Sequence, residues 1–301
     1  MGITRGMIKL LMREGKKRAF SGTVLTCGRQ DISATQKQLK KWSEELKFQL
    51  NKVQLHLAEN NHFKKKGCIS DIMFFKSIGL DKVDSLDFCD FEKCTIIHDL
   101  NTNIPARLHN KYDLIIDSGT SEHIFNFPKV LENYNKMLKI GGRIIHCLPT
   151  SNFVNHGFYM FSPTVFQDYY TSNKWKILDC LFIQLFPRNL KKLWKIYEYN
   201  FKKMMLLGVG GHKGTYGTFF VTQKTKKSTF DAQVQQTFYL DAWQKSTDIK
   251  TENSTTILTN KYIKKIVSHI PGKIKDDWRQ TYYKLISKIH PKFRLKCVAK
   301  F

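Results

Sequence analysis

Five polar clusters, each directly after an apolar run, hold the side chains best suited to chemistry. The first is Cys27-Gly28-Arg29-Gln30-Asp31. A glycine there lets backbone approach a ligand with no Cβ in the way, and a following helix N-terminus offers free N–H groups; a plain turn would use the same residue. The second is Asp87 in SLDFCD, a carboxylate able to accept both hydroxyls of a ribose or to cap a helix. The third, His98-Asp99-Leu100-Asn101, sets a carboxylate, an amide and backbone groups in a row. That set suits the amino edge of an adenine, and an Asx-turn would use the same residues. The fourth, Asp117-Ser118-Gly119-Thr120-Ser121-Glu122-His123, carries more polar groups than a connection needs. Its His123 is expected to be a buried histidine satisfied by Glu122 or backbone before it is a catalytic one. The fifth runs from Thr150 to Pro163 and combines Phe153, Phe158, Tyr159 and Phe161 with Asn152, Asn155 and His156. It reads as the wall at which a substrate enters, or as a packed loop.

The elements that must position these clusters alternate. Residues 7–19 read as a short helix and Thr23–Cys27 as a buried parallel strand. Helical spacing of Leu39, Trp42, Leu46 and Leu50 spans 31–50, with Asp31 or Ser33 as cap. The stretch 51–68 is polar and ambiguous, and 71–79 reads as a capped helix closed by Gly79. Strands follow at Val83–Phe88, Thr95–Asp99 and Tyr112–Asp117, then a helix over 128–139. Gly141-Gly142 turns that helix into the strand Arg143–Leu148, stopped by Pro149. Further on come a short helix at 163–171, a long strand at Trp175–Phe186, an amphipathic helix at 190–207 and a strand at Tyr216–Gln223. Alternation of this kind implies a mainly parallel sheet with right-handed crossovers, whose ligands bind beyond the carboxyl ends of the strands. The glycine-rich GVGGHKGTYG does not run from a strand into a helix, so it reads as a hairpin connection and not as a phosphate cradle. The predicted organisation is a domain at 1–225, a Gln/Thr/Ser/Lys-rich linker or arm at 226–258, and a basic helical C-terminal extension at 259–301.

Composition narrows the classes. With 301 residues and 42% hydrophobic residues the chain can bury a full core, and no apolar run is long enough to span a bilayer. The N-terminus has neither the text of a signal peptide nor a myristoylation signal, which predicts a cytoplasmic protein. The seven cysteines are odd in number and form no C-x-x-C, and the ten histidines show no ligand spacing. Reduced thiols and no metal are therefore expected. Fifty Lys and Arg against 25 Asp and Glu give a formal charge of +25, with the excess concentrated after residue 186. A polyanion partner (nucleic acid, acidic glycan or anionic lipid) held through the basic C-terminal half accounts for this, and so does a solvated basic face.

Taken in order, the clusters resemble the class I S-adenosylmethionine-dependent methyltransferases. KYDLIIDSGTSEHIFNFPKVLENYNKMLKIGGRIIHCLP is similar to that family's fourth strand with its acidic end, the E-H pair, a helix, the G-G turn and the fifth strand. NHGFYMFSPTVFQDYY with WKILDCLFI, and then YGTFFVTQK, are similar to the following helix, the sixth strand and the last strand. TCGRQD, HDLN, DSGTSEH and HGFYMFSP together look like a bacterial subgroup of the family. The resemblance covers residues 20–225. It implies an α/β, Rossmann-like, mainly parallel sheet flanked by helices, with an antiparallel last strand. It also implies S-adenosyl-L-methionine as cofactor and an unidentified methyl acceptor. Gly28, Asp87, Asp99 and Asn101 would hold the cofactor, with Asp117 and Gly119 at its methionine side, and His156 and then His123 are the candidate bases. One departure stands out. The family carries an acid and then G-x-G-x-G after its first strand, whereas this chain has Thr26 and Gly28-Arg29-Gln30, which puts Arg29 forward to meet the methionine carboxylate. The alternatives are an NAD-type dehydrogenase, which lacks its G-x-G-x-x-G here, a sugar-nucleotide glycosyltransferase, which lacks a D-x-D, and a catalytically silent basic module for a polyanion.

Overall fold

Successive residues of the central strands face opposite ways, and both faces are apolar. Val24, Leu114, Ile116, Ile145, Phe219 and Val221 join one core cluster, while their neighbours Leu25, Ile115, Ile144 and Phe220 join a second. A strand buried on both faces is the mark of a sheet covered by helices on each side. The computed structural model describes residues 2–186, 192–199, 214–237, 239, 240, 243 and 297–301. It contains a sheet of nine strands in the order β11-β9-β8-β10-β7-β6-β2-β4-β5, and a small parallel pair, β1 (Gly2–Ile3) with β3 (Asp31–Ile32). The large sheet is built from β2 (Thr23–Cys27), β4 (Lys82–Asp87), β5 (Ile96–Ile97), β6 (Tyr112–Asp117), β7 (Leu138–Ser151), β8 (Lys176–Leu185), β9 (Lys195–Glu198), β10 (Thr215–Gln223) and β11 (Cys297–Lys300).

Strands β5, β4, β2, β6 and β7 are mutually parallel. Strand β10 is antiparallel to both β7 and β8, so β8 runs with the parallel set across it. Helices α1 (Arg5–Lys17), α2 (Gln36–Leu46) and α4 (Asp71–Ser77) pack their apolar residues into the first core cluster. Helices α5 (Phe127–Met137) and α6 (Pro163–Ser172) pack theirs into the second. A short helix α3 (Asn61–Lys65) lies in the polar stretch after α2. The fold is thus the α/β, mainly parallel sheet flanked by helices that the sequence implies, with β10 antiparallel as expected. Strand β10 is not the last strand, because β11, inside the predicted helical extension, pairs antiparallel with β9.

Several boundaries differ from expectation, each for a local reason. The second helix begins at Gln36 and not at 31, because Asp31 and Ile32 pair with Gly2 and Ile3; its cap is Thr35, in a reciprocal box with Gln38. Strand β7 begins at Leu138 and runs through Gly141-Gly142. Gly141 has φ +87°, and the ladder with β6 shifts register there, which makes the pair a bulge instead of a turn. The third expected strand shrinks to Ile96–Ile97. Within the segment expected to be an amphipathic helix at 190–207, Lys195–Glu198 is a strand that pairs with β8 and buries Ile196. Residues 190, 191 and 200–207 of that segment, the predicted arm beyond residue 243 and the helical extension to residue 296 lie outside the described residues. So does most of the basic stretch behind the polyanion expectation.

The chain divides into two compact units, one made of Met1–Glu198, Lys213–Val234 and Cys297–Phe301, the other of Tyr199–His212 and Gln235–Lys296. The first unit therefore passes the predicted boundary at 225. Thr229 bonds to Asn173 through both backbone and hydroxyl, its carbonyl accepts from the Trp175 indole, and β11 returns to pair with β9. In the second unit the Tyr239 and Trp243 rings lie 6.0 Å apart. The seven cysteines are free, with Cys27 and Cys68 buried but Cys89 and Cys297 exposed. Among the described residues no helix is long and apolar enough to cross a membrane.

Candidate active site

In chain order the parallel strands start at β2, step outward through β4 to β5, then cross back to β6 on the other side of β2. The reversal leaves a crevice beyond the carboxyl ends of β2 and β6, the place where doubly wound sheets bind ligands. A cleft of about 350 Å³ opens there, within the size range of small-molecule sites. It is lined by Gly28, Arg29 and Gln30 after β2, Asp87 and Phe88 after β4, His98 to Asn101 after β5, and Gly119, Thr120, His123 and Ile124 after β6. Four of the five polar clusters thus meet in one place.

Gly28 has φ +69°, and a Cβ built on it would stand 3.3 Å from Thr120 Oγ1 and 3.7 Å from Asp87 Oδ2. The bare backbone forms the floor of the cleft between those two groups. Asp87 Oδ1 accepts the Phe88 N–H at 2.7 Å, so its other oxygen is the one turned toward Gly28. Thr120 donates its hydroxyl to the Cys27 carbonyl at 2.7 Å, and Gln30 donates its amide N–H to the same carbonyl at 2.9 Å. Two polar atoms here are buried with no protein partner, Gln30 Oε1 and His98 Nε2.

Three expected binders have other work. The Arg29 guanidinium is bound to both oxygens of Asp71 at 2.9 and 3.3 Å, to Glu59 at 3.1 Å and to the Lys93 carbonyl at 3.0 Å. It braces the cleft wall against α4 and is not presented to a ligand carboxylate. Asp99 and Asn101 do form the Asx-turn: Asp99 Oδ1 accepts from the Asn101 backbone and amide N–H groups at 2.8 and 2.9 Å. The Asn101 side-chain oxygen Oδ1 accepts the Asn126 N–H at 2.9 Å. Their side chains therefore shape the far wall, and Asn101 has little bonding capacity left. Thr26, at the family's acidic position, is fully buried away from the cleft, and its hydroxyl has no protein partner.

Asp117 departs furthest from expectation. Strand alternation turns it under α5 and α6, where it is fully buried and does not line the cleft. It accepts from the Ser121 hydroxyl at 2.6 Å and backbone N–H at 3.2 Å, and from His146 Nδ1 at 2.9 Å. His146 Nε2 then accepts from the Tyr170 hydroxyl at 2.7 Å, and its ring stacks on Phe166 with centroids 4.6 Å apart. Ser121 also meets the Tyr134 hydroxyl at 3.0 Å. Sequence reasoning missed this network, though the histidine inside the apolar run RIIHCL was a visible signal.

The fifth cluster reaches the cleft through the fourth. Ser121–His123 is a single 3₁₀ turn, and the burial expected for His123 falls to Glu122 instead. The Glu122 side chain is fully buried while that of His123 is 45% exposed. The Glu122 carbonyl accepts the N–H groups of Phe158 and Tyr159 at 2.8 and 3.2 Å, which pins the loop after β7. Gly157 permits this approach, because a Cβ there would stand 2.7 Å from the Glu122 carbonyl oxygen. His156 Nε2 consequently lies 3.5 Å from Glu122 Oε1, His123 Nε2 lies 3.8 Å from the same atom, and the two imidazoles are 5.1 Å apart. Burial, and then the charge of Asp117, push the Glu122 carboxyl up to about 8; burial and the neighbouring His156 push His123 down. Of the loop aromatics, Phe158 is exposed and packs edge-on against Phe125, whereas Phe161 belongs to the core, 4.4 Å from Phe127.

No protein-family model and no curated protein matches the chain. Solved structures similar to it include three of methyltransferase description. One is a 1,6-didemethyltoxoflavin N1-methyltransferase from Burkholderia thailandensis, with 1,6-didemethyltoxoflavin and S-adenosylhomocysteine bound. It shows 10% identity, coverage of 73% of this chain and 78% of that one, and a TM-score of 0.38. A candidate methyltransferase from Bacillus halodurans shows 6% identity, coverage of 73% and 99%, and a TM-score of 0.40. An S-adenosylmethionine-dependent methyltransferase from Thermotoga maritima shows 11%, coverage of 73% and 90%, and 0.35.

Proposed function

We propose that this protein is an S-adenosylmethionine-dependent methyltransferase whose cofactor lies in the cleft over Gly28. The observation that carries the reading is the facing pair at the switch point: a side-chain-free backbone at Gly28 and, across from it, a carboxylate oxygen of Asp87 turned inward. A ribose edge needs that combination, close backbone approach and an acceptor for two hydroxyls. The buried, unpartnered Gln30 Oε1 and His98 Nε2 give further polar atoms of the same cleft something to bind. An NAD-type dehydrogenase fits less well, since the first turn lacks its glycines and an antiparallel strand, β10, separates β7 from β8.

S-adenosylmethionine, when bound, supplies a methyl group already made electrophilic by the sulfonium. What is left for the protein is alignment, exclusion of water and removal of a proton. Asp87 and Gly28 orient the nucleoside, Asp99 with Asn101 rigidifies the wall beside it, and Phe125 with Phe158 shields the side at which an acceptor enters. His156 is the candidate base, held beside His123 at that entrance. The test is calorimetric titration of the folded protein with S-adenosylhomocysteine. Saturable binding in the micromolar range is expected, and absence of heat removes the reading. Once an acceptor is identified, His156→Ala should slow turnover about 10²–10⁴-fold while S-adenosylhomocysteine affinity is kept.

A further inference from the structure

Beside the cleft, three side chains share a geometry that no hydrogen bond accounts for. Glu122 is fully buried, neither of its carboxylate oxygens has a protein partner, and His156 Nε2, 3.5 Å away, has none either. A hydrogen bond between them would close to about 2.7–3.2 Å. One ligand atom from each of Glu122, His123 and His156 lies within 4.8 Å of the others. Imidazole nitrogens and a carboxylate oxygen bound to one tetrahedral ion at ~2.0–2.2 Å stand roughly 3.3–3.6 Å apart. The 3.5 and 3.8 Å separations from Glu122 Oε1 are close to that spacing, and the partly exposed His123 ring has room to close the third. The backbone holds the arrangement, through the Phe158 and Tyr159 N–H bonds to Glu122 and the close approach at Gly157.

We propose that Glu122, His123 and His156 bind one divalent transition-metal ion of the zinc class in the wall of the cleft. Mixed imidazole and carboxylate donors suit such borderline ions, whereas Mg²⁺ and Ca²⁺ seek oxygen alone. Three protein ligands leave at least one coordination position open. A bound cation also gives the buried carboxylate, whose two oxygens have no protein partner, the counter-charge that its neighbour Asp117 does not supply. His123 lines the cleft, so the ion borders the space where an acceptor enters, and the open position takes an anionic oxygen or sulfur of that acceptor. This last role rests on the methyl-transfer reading and takes the place of the free His156 base, whose Nε2 the ion would occupy; the ion site itself does not rest on that reading.

Full-length protein stripped with a chelator is titrated with Zn²⁺ alone against a competing chelator, and bound metal per chain is measured after desalting. One ion per chain is expected, with affinity at least tenfold weaker in Glu122→Gln and His156→Ala, and no matching heat from Mg²⁺. Circular-dichroism melts check that each variant is folded, and His123→Ala replaces either one that is not. Loading with Co²⁺ should give d–d absorption without thiolate charge-transfer bands. Failure to take up Zn²⁺, thiolate bands, or equal uptake by wild type and folded variants overturns the site. S-adenosylhomocysteine titrated into the same samples keeps the two readings apart: silence there with intact Zn²⁺ binding removes the cofactor assignment alone.

Discussion

Asp117 and Glu122 are two fully buried acids on the same connection after β6, and their surroundings are opposite. Asp117 has Ser121 and His146 as donors, and Tyr170 and Tyr134 continue its network. Glu122 has two imidazoles near it and a hydrogen bond to neither. A buried charge with every lone pair satisfied rigidifies what surrounds it, while an unsatisfied one either takes up a proton or waits for a counter-ion. The first acid therefore belongs to the scaffold and the second to the working part of the molecule, although both look like site residues in the run DSGTSEH.

The largest test of this contrast is Asp117→Ala. It strands His146 and Ser121 in the core and should cost about 3–5 kcal/mol in denaturant unfolding. A loss below 1 kcal/mol would place Asp117 outside the scaffold. Next is the pH dependence at Glu122. Its folded-state pKa of about 8 lies above the ordinary 4.5, so the folded protein without metal keeps a proton that the unfolded chain releases. The stability this confers is whole below pH 4.5 and is lost as pH rises to about 8, by at most about 5 kcal/mol at about 1.4 kcal/mol per unit. Glu122→Gln should flatten that slope, and saturating Zn²⁺ should reverse it; parallel melting curves of wild type and variant across this range would contradict both. A smaller effect belongs to the cofactor side. Asp87→Ala should weaken S-adenosylhomocysteine by about 1–3 kcal/mol with the melting temperature little changed. An unchanged Kd would seat the ribose elsewhere. The smallest is Gly157→Ala, expected to cost about 1 kcal/mol of stability by pushing the loop from Glu122. It should also weaken Zn²⁺ while leaving S-adenosylhomocysteine alone, and coupled loss of both would make the ion site and the cofactor cleft a single site.

Legibility in the sequence followed the same division. The strands could be read because apolar runs buried on both faces have a distinctive text, and Thr23–Cys27 and Tyr112–Asp117 lie where the text puts them. Gly28, Asp87, Asp99 and Gly119 could be placed at strand ends without knowing any side-chain direction, and they do line one cleft. Direction was the missing information. Whether Asp117 points into the cleft or under α5 depends on one step of strand alternation, and the partner that decides it, His146, is 29 residues away. The same holds for Arg29, whose partner Asp71 is remote in the chain. The His123–His156 pair shows no ligand spacing in sequence because a loop brings it together, through an approach that only the missing side chain of Gly157 permits.

The antiparallel β10 also dictates an order of assembly. Strand β7 has fourteen residues, and its outer edge is covered by residues 215–223, which are made well after β8 at 176–185. Until that late segment arrives, the chain carries a long, apolar, hydrogen-bond-hungry edge in the middle of its sheet. Strand β8 has the orientation to pair with it wrongly, in parallel. Exposed edges of this length recruit other chains. Fragments ending between residues 186 and 214 should accordingly aggregate during synthesis, and the whole protein's yield should depend on how quickly β10 can insert between two strands already present.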